Sequence, residues 1–208
     1  MLELSQALTY TAALGIAAAI PGPGMAALVA RSVSGGALPG FSLLSGLILG
    51  DLVYLSFAVF GLGLIAHYFD ALFVLVRVFA AIYLCYLAWQ FWWAKPQPVS
   101  VGRPVSKQEL FSAWLSGLTI TLGNPKTIAF YLALLPLVIH LESVSLHTWA
   151  FMLVPLTIAV LFIVGGLFVL GAVRIRHVLA SQRAQLYLFR GAALMMVGAA
   201  GAMLVQNL

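Results

Sequence analysis

Pro21-Gly22-Pro23-Gly24 interrupts an apolar run that begins at Leu4 and resumes at Met25-Ala26-Ala27-Leu28-Val29-Ala30. Proline lacks an amide hydrogen and clashes with the preceding turn, and glycine loosens the backbone, so a regular helix does not pass through this cluster undistorted. In the second half of the chain, Gly123-Asn124-Pro125-Lys126 breaks another apolar run. A membrane helix carries such a defect only where a neighbouring helix, a water-filled cavity or a bound ligand satisfies the freed backbone groups.

The rest of the sequence confirms that these runs belong in a bilayer. Of 208 residues, 63% are hydrophobic and 7% charged, and the mean hydropathy is +1.11. A soluble domain carries roughly 25% charged residues. The composition therefore predicts an all-α polytopic membrane protein, a single transmembrane domain over residues 1–208 with no soluble catalytic domain. The formal charge of +5 does not point to nucleic acid, because the ten Lys and Arg residues are scattered at the ends of apolar runs. The single cysteine, Cys85, excludes an internal disulfide and reads as a structural thiol. The first run has no basic residue before it, only Glu3, and continues through the break, so it reads as a retained span rather than a cleaved signal.

Six spans follow, over residues 4–34, 41–67, 71–94, 110–139, 148–173 and 184–204. About 20 apolar residues cross the hydrocarbon core, so the first and fourth spans are longer than a crossing needs, as interrupted helices would be. Residues 95–108 form a Pro-, Val- and Ser-rich linker between one three-span half, 1–94, and another, 109–208. Arg31, Lys95, Arg103, Lys107, Arg174, Arg176 and Arg183 fall beside the first, third and fifth connections, and Glu3, Asp70 and Glu142 on the other side. Basic loops face the cytoplasm, which places both termini outside. Trp92, Trp93 and Trp149, near span ends, read as interfacial anchors.

With three spans per half, the second half enters the membrane from the opposite side to the first. Pro21 lies 17 residues after Leu4, and Asn124 lies 14 after Leu110, so the two breaks occupy matching places. This is the pattern of inverted repeats whose broken helices meet at a midplane site. A half-helix starting after the first break directs free amides and partial positive charge at a carboxylate, and the carbonyl end of the preceding half-helix suits an ammonium. A zwitterion matches both. Pro21, Gly22, Pro23, Gly24, Asn124, Pro125 and Lys126 are the substrate-binding candidates, with Asn124 able to contact a ligand or to cap its half-helix.

Asp51, Arg77 and Lys126 are the ionisable residues inside spans, where a charge costs about 2.5–3.5 kcal/mol and needs a partner or a cavity. Asp51 is the candidate proton-coupling carboxylate or a member of a buried ion pair. Gly46 and Gly50 beside it let another helix approach closely. Lys126 either neutralises Asp51 or attracts a substrate carboxylate, Tyr54 supports Asp51 from the same helical face or merely packs, and Arg77 snorkels outward. Gly165, Gly166, Gly191, Gly198 and Gly201 read as close-packing positions, a candidate dimer face. The four histidines are not spaced as metal ligands, so no metal and no cofactor is expected. No nucleophile sits in a catalytic setting, so no enzyme activity is expected either.

Ala19-Ile20-Pro21-Gly22-Pro23-Gly24, Gly50-Asp51, Tyr83-Leu84 with Tyr86-Leu87, and Gly123-Asn124-Pro125-Lys126 with Phe130 and Leu135-Pro136 occur in an order that resembles the lysine exporter (LysE) superfamily, nearest its homoserine/threonine resistance (RhtB) branch. The resemblance spans essentially the whole chain. It implies a bacterial inner-membrane exporter of small amino acids or derivatives of the homoserine, threonine or leucine type, driven by the proton motive force and often a homo-oligomer. It departs from the family pattern at Ala88-Trp89-Gln90 and at Leu137-Val138-Ile139-His140. Few intramembrane acids favour a neutral amino acid over a cationic one. A metal or inorganic-ion exporter is the first alternative, and a membrane enzyme or assembly subunit that transports nothing is the second.

Overall fold

The computed structural model describes residues 3–20, 22–65, 82, 85–86, 88–93, 105–131, 135–139, 144–175 and 182–205. Among these residues the secondary structure is all helix, joined by short turns and breaks, with no strand. The elements are α1 (Leu4–Ala19), α2 (Pro23–Gly35), α3 (Ala37–Ile65), α4 (Lys107–Leu122), α5 (Pro125–Ala129), α6 (Leu135–Val138), α7 (Leu146–Thr148), a π turn (Trp149–Leu153), α8 (Val154–Arg174) and α9 (Gln182–Val205). Pro21, Arg77, His67, His140, His177, Asp70, Glu142, Lys95, Arg103 and Arg176 lie outside the described residues.

Two continuous helical stretches, Ala37–Gly61 and Leu146–Arg174, are long and apolar enough to cross a membrane, and α1 with α2 qualifies as a third, bent by 61° at the break. The stretch from α7 to α8 stays continuous through the π turn because Pro155 has no amide for the preceding turn, and a wider turn absorbs the missing bond. Both broken segments open with a half-helix of 16 residues, α1 and α4, and both resume with proline at the first helical position, Pro23 in α2 and Pro125 in α5. Proline is pre-organised there, where its missing amide costs nothing. The two breaks expected from the sequence are thus both present, and locally alike.

Packing is closest between α3 and α4. A Cβ on Gly46 would run into the backbone of Trp114 and Leu118, and one on Gly117 into the backbone of Leu43 and Leu47. A Cβ on Gly50 would stand 2.6 Å from the Cβ of Thr121. The small-residue stripe therefore brings two backbones together beside Asp51, as its spacing suggested. Gly50→Ala is expected to lower stability by about 1–3 kcal/mol, because Thr121 is itself buried and cannot move aside. Denaturant titration of the purified variant in mild detergent checks this. Unchanged stability would show that the α3–α4 contact is looser at this level.

The glycines of the last two helices divide. Gly165 meets the Leu44 side chain and Gly166 lies near Phe41, whereas Gly191, Gly198 and Gly201 meet no neighbour within 4 Å among the described residues.

Contacts also fix helix directions. Ser42 and Tyr54 of α3 bond the carbonyls of Leu110 and Leu122 on α4, so these two helices run parallel. Tyr10 pairs with Thr157 and Gly15 lies by Val160, so α1 and α8 are parallel too. Gly40 lies by Val169 and Leu44 by Gly165, which makes α3 and α8 antiparallel. One end of the bundle thus gathers the end of α2, the start of α3 and the start of α4, where Arg31 and Glu109 form an ion pair at 3.5 Å. Both partners are partly exposed, and such a pair contributes on the order of 0–1 kcal/mol.

Candidate functional site

Where the two breaks approach each other, α1, α2, α3, the end of α4, α5 and α8 line a half-open cavity of about 60 Å³. Its wall is mostly apolar, with Leu14 from α1, Met25 from α2, Leu44, Leu47 and Ile48 from α3, and Leu161 from α8. The polar groups on it are Asp51 from α3, Thr121 from the end of α4, Asn124 from the second break, and Lys126 and Thr127 from α5. Of the residues singled out in the sequence, Gly24, Asp51, Asn124 and Lys126 therefore share one cavity. Gly22 adjoins it, since a Cβ there would stand 3.5 Å from Lys126 Nζ. Pro23 and Pro125 start their half-helices, and Tyr54 lies off the cavity wall.

The ends of the broken helices are satisfied in a way the sequence did not disclose. Lys126 Nζ crosses from α5 to donate to the carbonyls of Ala17 at 2.8 Å and Ile20 at 2.9 Å, the carbonyl end of α1. A cation at that end also meets the negative pole of the helix dipole. The carbonyl end expected to receive a ligand ammonium is thus filled by the chain's own ammonium. Lys126 makes no ion pair with Asp51 among the described residues, although both line the cavity. Tyr54 does not donate to Asp51 either, because its hydroxyl donates to the carbonyl of Leu122 and closes the end of α4.

At the amide ends, Asn124 Oδ1 accepts from the amide of Lys126 and caps α5. The α2 end differs. Its N-cap, Gly22, has no side chain to offer, and Gly24 and Met25, the next residues with amides, both line the cavity. Tyr54→Phe is expected to cost about 1–3 kcal/mol of stability, because the Leu122 carbonyl loses its donor in a place without water. Thermal unfolding of the detergent-solubilised variant checks it, and an unmoved midpoint would show another donor for that carbonyl.

Three hydroxyl residues next to the site were not singled out from the sequence. Tyr10, Tyr131 and Thr157 are fully buried. Tyr10 and Thr157 are hydrogen-bonded at 2.7 Å, and the Tyr131 hydroxyl is a neighbour of both Tyr10 and the Asp51 carboxyl. The available signal was a hydroxyl in the middle of an apolar run, which here marks a buried polar chain. Among the described residues no three His, Cys, Asp or Glu side chains come together.

A family model described as LysE type translocator matches residues 15–207. The chain belongs to the LysE type translocator family. This translocator is 28% identical over 202 residues to an uncharacterized membrane protein of Synechocystis sp., covering 97% of this chain and 93% of the relative. It is 27% identical over 180 residues to a leucine efflux protein of Klebsiella pneumoniae, covering 83% and 84% of the two chains. A leucine efflux protein of an Enterobacter strain is 24% identical over 125 residues, covering 60% of this translocator and 59% of the relative. No solved structure matches the chain significantly.

Proposed function

We propose that this translocator exports small neutral amino acids with aliphatic side chains across a bacterial inner membrane, driven by the proton motive force. The observation that carries this reading is one carboxyl, Asp51, and one ammonium, Lys126, unpaired with each other on the wall of a single apolar cavity between the two helix breaks. A zwitterion finds complementary charges there. Its carboxylate is met by Lys126 and the amides of Gly24 and Met25 at the start of α2, and its ammonium by Asp51. Leu14, Leu44, Leu47 and Leu161 suit an aliphatic side chain, and two relatives are leucine efflux proteins. One carboxyl among the described residues of the cavity favours a neutral amino acid, since a cationic side chain would call for a second. In this role Asp51 takes up the coupling proton, and the protein acts by transport rather than catalysis.

Six spans in two inverted halves, 1–94 and 109–208, accommodate this mechanism. Parallel pairing of α3 with α4 and of α1 with α8, and antiparallel pairing of α3 with α8, are the directions that alternating spans two, four, one and five would have. The matched breaks then face one site from opposite sides of the membrane, and both termini lie outside.

Efflux of a panel of labelled amino acids from preloaded cells, with and without the protein and before and after collapse of the proton gradient, tests the reading. Gradient-dependent loss of leucine-like substrates is the expected result. An abundant protein that moves no amino acid would overturn it.

A further inference from the structure

We propose that Tyr131 is a positioning residue for Asp51, a hydroxyl rotor that donates to the ionised carboxylate and turns its hydrogen to Tyr10 when that carboxyl is protonated. It rests on the proton-coupling role given to Asp51 above. Counting hydrogens leads to it. Thr157 Oγ1 gives its only hydrogen to the carbonyl of Leu153, at 2.7 Å. In the 2.7 Å contact between Tyr10 and Thr157, the hydrogen must therefore be the tyrosine's. Tyr10 has then spent its hydrogen, and its oxygen is left as an acceptor.

The next hydroxyl inward is that of Tyr131. It is fully buried, aligned with no hydrogen-bond partner, and neighbours two acceptors, the Tyr10 oxygen and the Asp51 carboxyl. An unpartnered buried hydroxyl is costly, so its one hydrogen goes to whichever acceptor the state of Asp51 offers. With Asp51 ionised, Tyr131 donates to the carboxylate, the stronger acceptor. With Asp51 protonated, the carboxyl O–H donates to the Tyr131 oxygen, and the tyrosine hydrogen swings to Tyr10. No covalent bond changes in this step beyond the proton gained by Asp51. The chain ends on a backbone carbonyl, so it is a dead end for protons and transmits an orientation from α3 to α1 and α8. Among the described residues, the other ionisable groups around the carboxyl are Lys126 of α5 and Tyr54 on α3 itself; α2, α4 and α8 add none on the cavity wall.

The rotor gives two isosteric variants opposite signs. In Tyr131→Phe the ionised carboxylate loses its donor, so protonation moves to higher pH, by about one unit. In Tyr10→Phe the rotor loses its second acceptor and remains bound to the carboxylate, so protonation moves to lower pH. A merely structural role would move both alike, through loosened packing, or neither.

The experiment is an infrared pH titration of the purified full-length protein in lipid nanodiscs, with the Asp51 carboxyl band identified as the one lost in Asp51→Asn. Shifts of opposite sign support the rotor. Shifts of the same sign, no shift, or no titrating Asp51 band overturn it. If Tyr131→Phe does not fold, the direction for Tyr10→Phe alone decides, upward or unchanged being the overturning result. Because the titration requires no transport, it is independent of the exporter reading. A protein that shows opposite shifts but moves no amino acid would keep the rotor and lose the exporter, and normal efflux with unmoved midpoints would do the reverse.

Discussion

Asp51→Asn is expected to reduce gradient-driven efflux to the level of cells lacking the protein, at an unchanged amount in the membrane. The amide fills the same volume on the cavity wall, so the close approach of α3 and α4 at Gly46, Gly50 and Gly117 is preserved. What it removes is a group able to gain and lose a proton, and the negative charge that a substrate ammonium would meet. Both losses act on transport, and neither creates a cavity. Placing a charge in the bilayer costs several kcal/mol and is retained where function uses it. The measurement is proton-dependent efflux across a range of pH, normalised to membrane protein. Efflux that keeps its rate and its pH dependence would show that Asp51 does not couple the proton, and attention would pass to the rest of the cavity.

Lys126→Met should damage both folding and transport, and by separable amounts. The methionine fills the apolar part of the lysine's space but leaves the carbonyls of Ala17 and Ile20 without their donor. Each such carbonyl away from water costs about 1–3 kcal/mol. The carbonyl end of α1 should therefore fray at the bend, with a clear drop in the denaturation midpoint. Lys126→Arg restores a cation and donors on a bulkier, planar head, and is expected to recover much of the stability. Efflux should fall in both variants, because the ammonium is also the group proposed to meet the substrate carboxylate. A methionine variant as stable as the parent would mean that those carbonyls find other donors. Full efflux in it would remove Lys126 from the substrate site.

The helix breaks, the two long apolar stretches and the close approach beside Gly46 and Gly50 were legible in the chain because each follows from local chemistry. Proline and glycine act on their own backbone, and a small-residue stripe at helical spacing needs only some partner helix to become an interface. The family too was legible, since Pro21-Gly22-Pro23, Gly50-Asp51 and Asn124-Pro125-Lys126 are ordered local motifs, and the match over residues 15–207 bears out the resemblance.

The sequence by itself thus determined a membrane-embedded helical transporter with two interrupted segments and a short list of polar residues near them. Which polar group faces which was decided by tertiary structure. Lys126 reaches back to the end of α1, more than a hundred positions earlier in the chain, and Tyr54 serves the end of α4 rather than the aspartate on its own helix face. Tyr10 meets Thr157 only because α1 packs parallel to α8, and Tyr131, just beyond α5, neighbours both Tyr10 and Asp51 only in the folded bundle. The reason is the solvent. In hydrocarbon no water stands ready to satisfy an exposed carbonyl or hydroxyl, so each polar group takes whatever partner the packed helices bring within reach, and that partner is a property of the fold rather than of its neighbours in sequence.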